Sequence, residues 1–149
     1  GNRNDQKVGD PNHDGRMNRC NHGSNINDRT NMTRGGFFAT SGMRNSPNHG
    51  PSSWPTLDSS GNDSMWLDGL TPGVNDEARS KYVIMHGASY NKGAIMGRSY
   101  GCPAFRPEKA ASIINTIKNG SLYYSYIPQC SSLQNKVDRQ VSGWQGMCN

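Results

Sequence analysis

Short apolar runs separated by long polar stretches make up the hydrophobic pattern of this chain. Runs of this length, rich in aromatic and branched side chains and bounded by glycine, proline or serine, are typical of strands. The third run is continuously apolar between Lys81 and Gly87, which predicts a buried strand with His86 at its end. In all, the pattern predicts four strands, over residues 36–40, 64–68, 82–86 and 122–127.

The clearest helix is predicted over residues 107–118. Proline suits the first helical position, an acidic side chain follows it, and a lysine ends the run before an asparagine and a glycine. Ile113, Ile114 and Ile117 form one apolar face. We expect this face to pack against the strand at 82–86.

The remaining stretches are polar and show neither the apolar spacing of a helix nor the alternation of a strand. A chain of 149 residues, of which 32% are hydrophobic, suits one domain with a small core. We expect a mainly β domain with one or two helices, the second being a short helix over residues 76–80 that Asn75 caps. The predicted divisions are an irregular polar segment over 1–34, the folded domain over 35–128, and a polar tail over 129–149 that packs on it.

The formal charge of +5 favours anionic partners. Lysine and arginine are scattered along the chain and no nucleic-acid-binding motif accompanies them, so nucleic acid is disfavoured as a partner. No stretch approaches the roughly 20 apolar residues that span a bilayer, and no transmembrane segment is expected. We expect a monomer.

Two short motifs carry residues suited to nucleophilic catalysis. His86-Gly87 ends the third predicted strand, and Gly101-Cys102 precedes the helix. A thiol attacks as the thiolate, and a nearby imidazole can take its proton and return it to a leaving amine. The amides of Gly101 and Cys102 could stabilise an oxyanion. Spacing alone also allows another interpretation, in which Cys102 is a buried apolar side chain or half of a disulfide and His86 is a strand-end histidine.

Ordered motifs along the centre of the chain resemble a known family. Leu-Asp-Gly-Leu at 67–70 is followed by Pro-Gly at 72–73, Asn-Asp at 75–76, Ala-Arg at 78–79, His-Gly-Ala at 86–88 and Arg-Ser-x-Gly-Cys-Pro-Ala at 98–104. This order is similar to that of the murein L,D-transpeptidase catalytic-domain family, a branch of the YkuD-type L,D-transpeptidases. The likeness extends over about residues 36–127, and several ordered motifs are more specific than one Ser-x-Gly-Cys.

The resemblance implies a YkuD-like catalytic domain that acts on peptidoglycan stem peptides. Cys102 would attack the carbonyl on the L-centre of a diaminopimelate-type third residue, release terminal D-alanine and hold the stem as a thioester. An amine of another stem would form a 3-3 cross-link, whereas water would make the protein an L,D-carboxypeptidase. A catalytically silent, secreted peptidoglycan-binding module is the alternative. A member of this family would be exported to the periplasm or cell wall, and carbapenem-type lactams acylate its thiol.

The resemblance also implies roles for residues around the thiol. His86 would be the base, and the carbonyl of Gly87 would orient its imidazole. The loop over residues 43–61 looks expanded relative to the family, which predicts a reshaped cleft. The other implied site residues are Ser99 and Gly101, which shape the pocket, and Arg98, Tyr100 and His49, which contact the substrate. For His49, an exposed loop histidine is the alternative.

The N-terminal segment holds weaker candidates for metal binding. Three oxygen-bearing side chains match the first, third and fifth ligand positions of a calcium loop, without the glutamate at the twelfth position and without flanking helices. A solvated turn is the alternative, and a zinc site in the same segment lacks a fourth ligand. We therefore expect neither a metal nor another cofactor. The calcium candidates are Asp10, Asn12 and Asp14, and the zinc candidates are His13, Cys20 and His22.

A free nucleophile at Cys102 leaves three cysteines for disulfides in an exported protein. Cys130 and Cys148 are the expected pair, because both lie in the polar tail and a bridge would stabilise it by about 3 kcal/mol. A bridge from Cys20 to either of them remains open. Peptide mapping without reductant distinguishes these pairings, and a linked peptide containing Cys102 would contradict the mechanism.

Overall fold

A computed structural model describes residues 33–46, 54–89, 101–126 and 131–147 of the chain. These residues form one five-stranded sheet and two helices, which confirms the expected fold class, mainly β with one or two helices. Neither helix is long and apolar enough to cross a membrane. The division of the chain at residues 34 and 128 stays a prediction. The elements are β1 (Gly36–Arg44), β2 (Ser64–Gly69), β3 (Ile84–Gly87), β4 (Ala104–Phe105), α1 (Pro107–Ile117), β5 (Leu122–Ser125) and α2 (Ser131–Met147).

The strands are arranged in the order β4-β3-β2-β1-β5. All neighbours are antiparallel except β3 and β4, which run parallel. His86 lies opposite Ser64 of β2 and beside Ala104 of β4, while Met85 lies opposite Met65. Because residues in register share a face of the sheet, Met85 and Met65 point to one face and His86 and Ser64 to the other.

The main core lies between the methionine-bearing face and α1. Ile114 is fully buried there, and Ile117 packs against the same cluster, as the apolar pattern of the helix predicts. Ile113 is half-buried and is not part of this cluster among the described residues. The buried members of the cluster are Phe38, Leu57, Met65, Leu67, Ala78, Val83, Met85, Ala110 and Ile114.

A second, smaller core lies under α2, on the opposite face of the sheet. Phe37 points to the opposite face from Phe38, and its ring lies 5.0 Å from that of Trp144. The polar composition of this tail did not predict a helix, yet four apolar side chains recur at helical spacing and form one stripe. Burial of that stripe against β1 stabilises a helix that is otherwise polar. The stripe consists of Leu133, Val137, Val141 and Trp144.

Two local predictions are wrong. Residues 71–82 form successive turns, and Asn75 caps no helix there. Its buried amide instead donates to the carbonyls of Gly35 and Phe37, at 3.0 and 2.8 Å. These hydrogen bonds tie the turn segment to the start of β1. The predicted strand at 82–86 begins two residues later, since Tyr82 adopts a left-handed conformation with φ of 56°.

We predict that Ile114→Asp abolishes folding, because it places a carboxylate in the main core. The milder Ile114→Ala should lower the free energy of unfolding by about 2–5 kcal/mol. Circular dichroism with urea titration measures both. Ile113→Asp is the matched control and should keep a cooperative transition, whereas a soluble, cooperatively folding Ile114→Asp protein would refute this packing.

Candidate active site

His86 lies on β3, next to the edge strand β4, on the sheet face that α1 does not cover. Its side chain is buried, and its Nδ1 lies 2.9 Å from the carbonyl oxygen of Gly87. A carbonyl oxygen only accepts hydrogen bonds, so Nδ1 carries the proton. The lone pair of the neutral ring is therefore on Nε2, which is the atom that can take a proton from a nucleophile.

Trp54 covers the imidazole of His86. The two ring centroids are 3.6 Å apart and the planes are inclined by 18°. The segment that carries Trp54 is anchored to α1, because Asn115 donates from its amide nitrogen to the carbonyl of Leu57 at 2.7 Å. Stacking against an anchored aromatic side chain restricts rotation of the imidazole and keeps water from one of its faces.

Gly87 is a point of close approach between three parts of the fold. A Cβ atom at this position would lie 2.7 Å from the Cβ of Ala110 and 2.7 Å from the Cγ of Pro55. Both distances are too short for carbon atoms, so a side chain here would push α1 or the Trp54 segment outward. The glycine after His86 is thus required by packing.

Cys102 reaches this site through the parallel pairing of β3 and β4. The amide of His86 donates to the carbonyl of Pro103 at 3.2 Å, and the Cys102 sulfur lies 3.7 Å from the carbonyl oxygen of Tyr82. Gly101 precedes the thiol with φ of 110°, a conformation that side-chain-bearing residues rarely adopt. The glycine lets the chain turn sharply into the strand just before the nucleophile.

The electrostatic surroundings of Cys102 favour the neutral thiol. Burial raises the pKa of the Cys102 thiol, while a hydrogen bond from the Ile84 amide and the positive charge of Arg44 act in the opposite direction. Desolvation is the largest effect, because the thiolate loses more hydration than these two groups replace. The thiol consequently needs a base before it can attack.

Four of the predicted site residues therefore lie where β3 and β4 meet: His86, Gly87, Gly101 and Cys102. Cys102 forms no disulfide with another described residue, and the direct hydrogen bond between its sulfur and the imidazole stays a prediction. The remaining predictions lie outside the described residues. They concern Ser99, Arg98, Tyr100 and His49 of the site, the cysteines Cys20, Cys130 and Cys148, and the metal candidates Asp10, Asn12, Asp14, His13 and His22.

Within the described ranges, no group of three histidine, cysteine or acidic side chains is placed to hold a metal ion.

The sequence did not indicate three residues that surround the thiol and imidazole. Trp54 is a single aromatic residue in a stretch of serine and proline. Arg44 and Tyr82 belong to none of the motifs that suggested a catalytic role. Only the aromatic character of Trp54 gave a signal that could have singled it out.

We predict that Gly87→Ala destabilises the protein by about 1–3 kcal/mol, as expected for an overpacked site. It should also slow alkylation of Cys102, since the displaced segment carries Trp54, which stacks on the imidazole of His86. Urea denaturation and peptide-level mass spectrometry measure the two effects. Gly42→Ala is the matched control, because no atom lies within 4 Å of its added Cβ. Equal stability of both variants would contradict the close approach at Gly87.

We predict that alkylation of Cys102 by iodoacetamide rises with pH through a midpoint above about 8.5, the pKa of an ordinary cysteine. The direction follows from burial, which raises the pKa of this thiol and lowers its thiolate fraction at neutral pH. Mass spectrometry of the Cys102 peptide at a series of pH values gives the profile. A midpoint below about 7 would instead indicate a preformed thiolate–imidazolium pair.

Comparison with known proteins places the chain in a family. The family model described as the L,D-transpeptidase catalytic domain matches residues 18–126, which is more than half of the chain and includes His86 and Cys102. A search of curated proteins and a search of solved structures gave no match. The mostly β architecture with two helices agrees with that family model. The chain belongs to the YkuD-type L,D-transpeptidase catalytic-domain family.

Proposed function

We propose that this protein is a cysteine acyl transferase that cross-links the stem peptides of bacterial peptidoglycan. Cys102 is the nucleophile and His86 is the general base. The observation that carries the proposal is the hydrogen bond between Nδ1 of His86 and the Gly87 carbonyl, since it leaves Nε2 as the basic atom. The β3–β4 pairing brings the Cys102 segment alongside the same strand.

In the first half of the reaction, Nε2 of His86 takes the thiol proton as the Cys102 sulfur attacks the carbonyl on the L-centre of the third stem residue. The amides of Gly101 and Cys102 stabilise the negative charge on the carbonyl oxygen. The amide bond then breaks, the imidazolium returns its proton to the departing nitrogen, and D-alanine leaves. A thioester between Cys102 and the shortened stem remains.

In the second half, an acceptor breaks the thioester. The side-chain amine of another stem attacks the thioester carbonyl and gives up a proton to Nε2, after which the Cys102 thiolate leaves and is reprotonated. The product is a 3-3 cross-link. Water as the acceptor follows the same steps and yields a free tripeptide stem, which is the L,D-carboxypeptidase outcome.

The raised pKa of Cys102 supports this assignment of roles. Because the pKa of Cys102 is raised, only a small fraction of it is thiolate at neutral pH, so the imidazole has to remove the proton during attack. The stacked Trp54 supports it as well, because restricted rotation of the imidazole holds Nε2 near one position. A monomeric protein exported to the periplasm or cell wall is proposed with the same function, since its substrate lies there.

We predict that the full-length protein converts tetrapeptide muropeptides to cross-linked dimers, with tripeptides as the hydrolytic product. Cys102→Ala should form neither product, and His86→Gln should lose about 10²–10⁴-fold in rate, as expected for removal of a general base. Mass spectrometry of the muropeptides separates the two products. A folded, reduced protein that forms neither product would favour the silent binding module.

A carbapenem gives a second readout of the same nucleophile. We predict that intact-mass spectrometry detects one covalent adduct on the wild-type protein and none on Cys102→Ala. The Ile113→Ala variant, altered on α1 away from the thiol, is the matched control and should acquire the adduct. An adduct on Cys102→Ala would place the reactive thiol elsewhere in the chain.

A further inference from the structure

An irregularity in β1 places Arg44 on the same face as the active site. Thr40 pairs with Leu67 and Met43 with Met65, so three steps along β1 correspond to two along β2. The extra residue is a β-bulge, which exchanges the two faces for every later position of the strand. Met43 consequently packs against the main core, and Arg44 lies opposite Ser64 on the face that bears His86.

The guanidinium of Arg44 lies over two aromatic rings. Its central carbon is 4.3 Å from the ring centroid of Trp66 and 5.7 Å from that of Tyr82. Such contacts hold a cation in place without cancelling its charge. Among the described residues, no carboxylate forms an ion pair with Arg44.

Arg79 also lies over the ring of Trp66, but within the described part of the chain it forms an ion pair, unlike Arg44. Its guanidinium also approaches Trp66, at 5.0 Å, but it donates to both carboxylate oxygens of Asp68 at 2.5 and 2.8 Å. The fork of Arg79 is therefore occupied and its charge is neutralised by a partner. Of these two arginines, only Arg44 retains donors for a carboxylate from outside the protein.

Tyr82 connects Arg44 to the nucleophile. Its ring faces the guanidinium, while its carbonyl oxygen accepts from the Cys102 thiol at 3.7 Å. Tyr82 makes both contacts from a left-handed conformation, two residues before β3 begins. The positive charge of Arg44 is close enough to lower the pKa of the Cys102 thiol, against the larger effect of burial.

We propose that Arg44 determines donor specificity by binding a carboxylate of the substrate beside the Cys102 thiol. This inference rests on the proposed function and names the part of the donor that the site recognises. A stem peptide offers two such groups near the scissile bond, the terminal carboxylate of D-alanine and the free carboxylate of a diaminopimelate-type residue. A planar guanidinium fork suits either group.

The first experiment needs no peptidoglycan. Iodoacetate and iodoacetamide both alkylate the thiolate, so the ratio of their rates at Cys102 is independent of the thiolate fraction and reports on attraction of a carboxylate. Arg44→Gln should lower the ratio of iodoacetate to iodoacetamide by about fivefold or more. Arg44→Lys should lower this ratio less, because lysine keeps the positive charge but lacks the paired N–H donors of the guanidinium.

Arg139→Gln is the matched control, because it removes the same charge from an exposed position on α2. Its ratio should equal that of the wild type, and peptide mapping assigns each rate to Cys102. An unchanged ratio in Arg44→Gln would overturn the proposal. So would an equal fall in Arg139→Gln, since that result would reflect net charge rather than a local site.

The second experiment identifies the carboxylate. Wild type and Arg44→Gln are compared on three tetrapeptide donors, one unmodified, one amidated at D-alanine and one amidated at the diaminopimelate-type residue. The substitution should lower kcat/KM about tenfold for the unmodified donor, as for loss of one charge-assisted contact. For the donor that lacks the recognised carboxylate, it should have no effect.

The outcomes separate this inference from the proposed function. An equal loss on all three donors would overturn the carboxylate site and indicate a structural role for Arg44. A wild-type protein that turns over none of the donors would contradict the proposed function, and the alkylation ratio alone would then decide whether Arg44 binds a carboxylate beside the thiol.

Discussion

The position of β3 between an antiparallel and a parallel neighbour is the constraint on which the rest of the structure depends. Through β2 it joins the sheet that forms the main core, and through β4 it brings in the segment of Cys102. Alternation along β3 then sends Met85 into the core and His86 to the opposite face. A shift of one residue in the β2–β3 pairing would exchange these two side chains and remove both the core and the base. A shift of one residue in the β3–β4 pairing would move Cys102 relative to His86.

Helix α1 links the stability of the core to the geometry of the site. Its buried side, with Ala110 and Ile114, closes the core against β3. The same helix holds the segment of Trp54 through Asn115, and Ala110 lies directly against Gly87. The covering of His86 therefore follows from core packing, and changes that loosen the helix also loosen the imidazole.

Arg44 and Arg79 both lie over the ring of Trp66, but their other neighbours differ, and so do the effects of their charges. Arg79 is paired with Asp68 at a partly exposed position, where such a pair contributes little to stability. Arg44 differs only in its surroundings, since the bulge in β1 turns it toward Tyr82 and the thiol. The positive charge of Arg44 then lowers the pKa of the Cys102 thiol, where burial otherwise disfavours the thiolate.

The sequence by itself determined the features that depend on local signals. Helix α1 and most of the strands follow from apolar periodicity and end residues, and the ordered motifs around His86 and Cys102 identified the family. The tertiary structure decided the features that depend on contacts between distant segments: the bulge that turns Arg44, the stacking of Trp54, the buried amide of Asn75 and the apolar stripe of α2. The physical reason is that each of them gains its stability only from partners that the folded sheet brings together, and no local pattern records those partners.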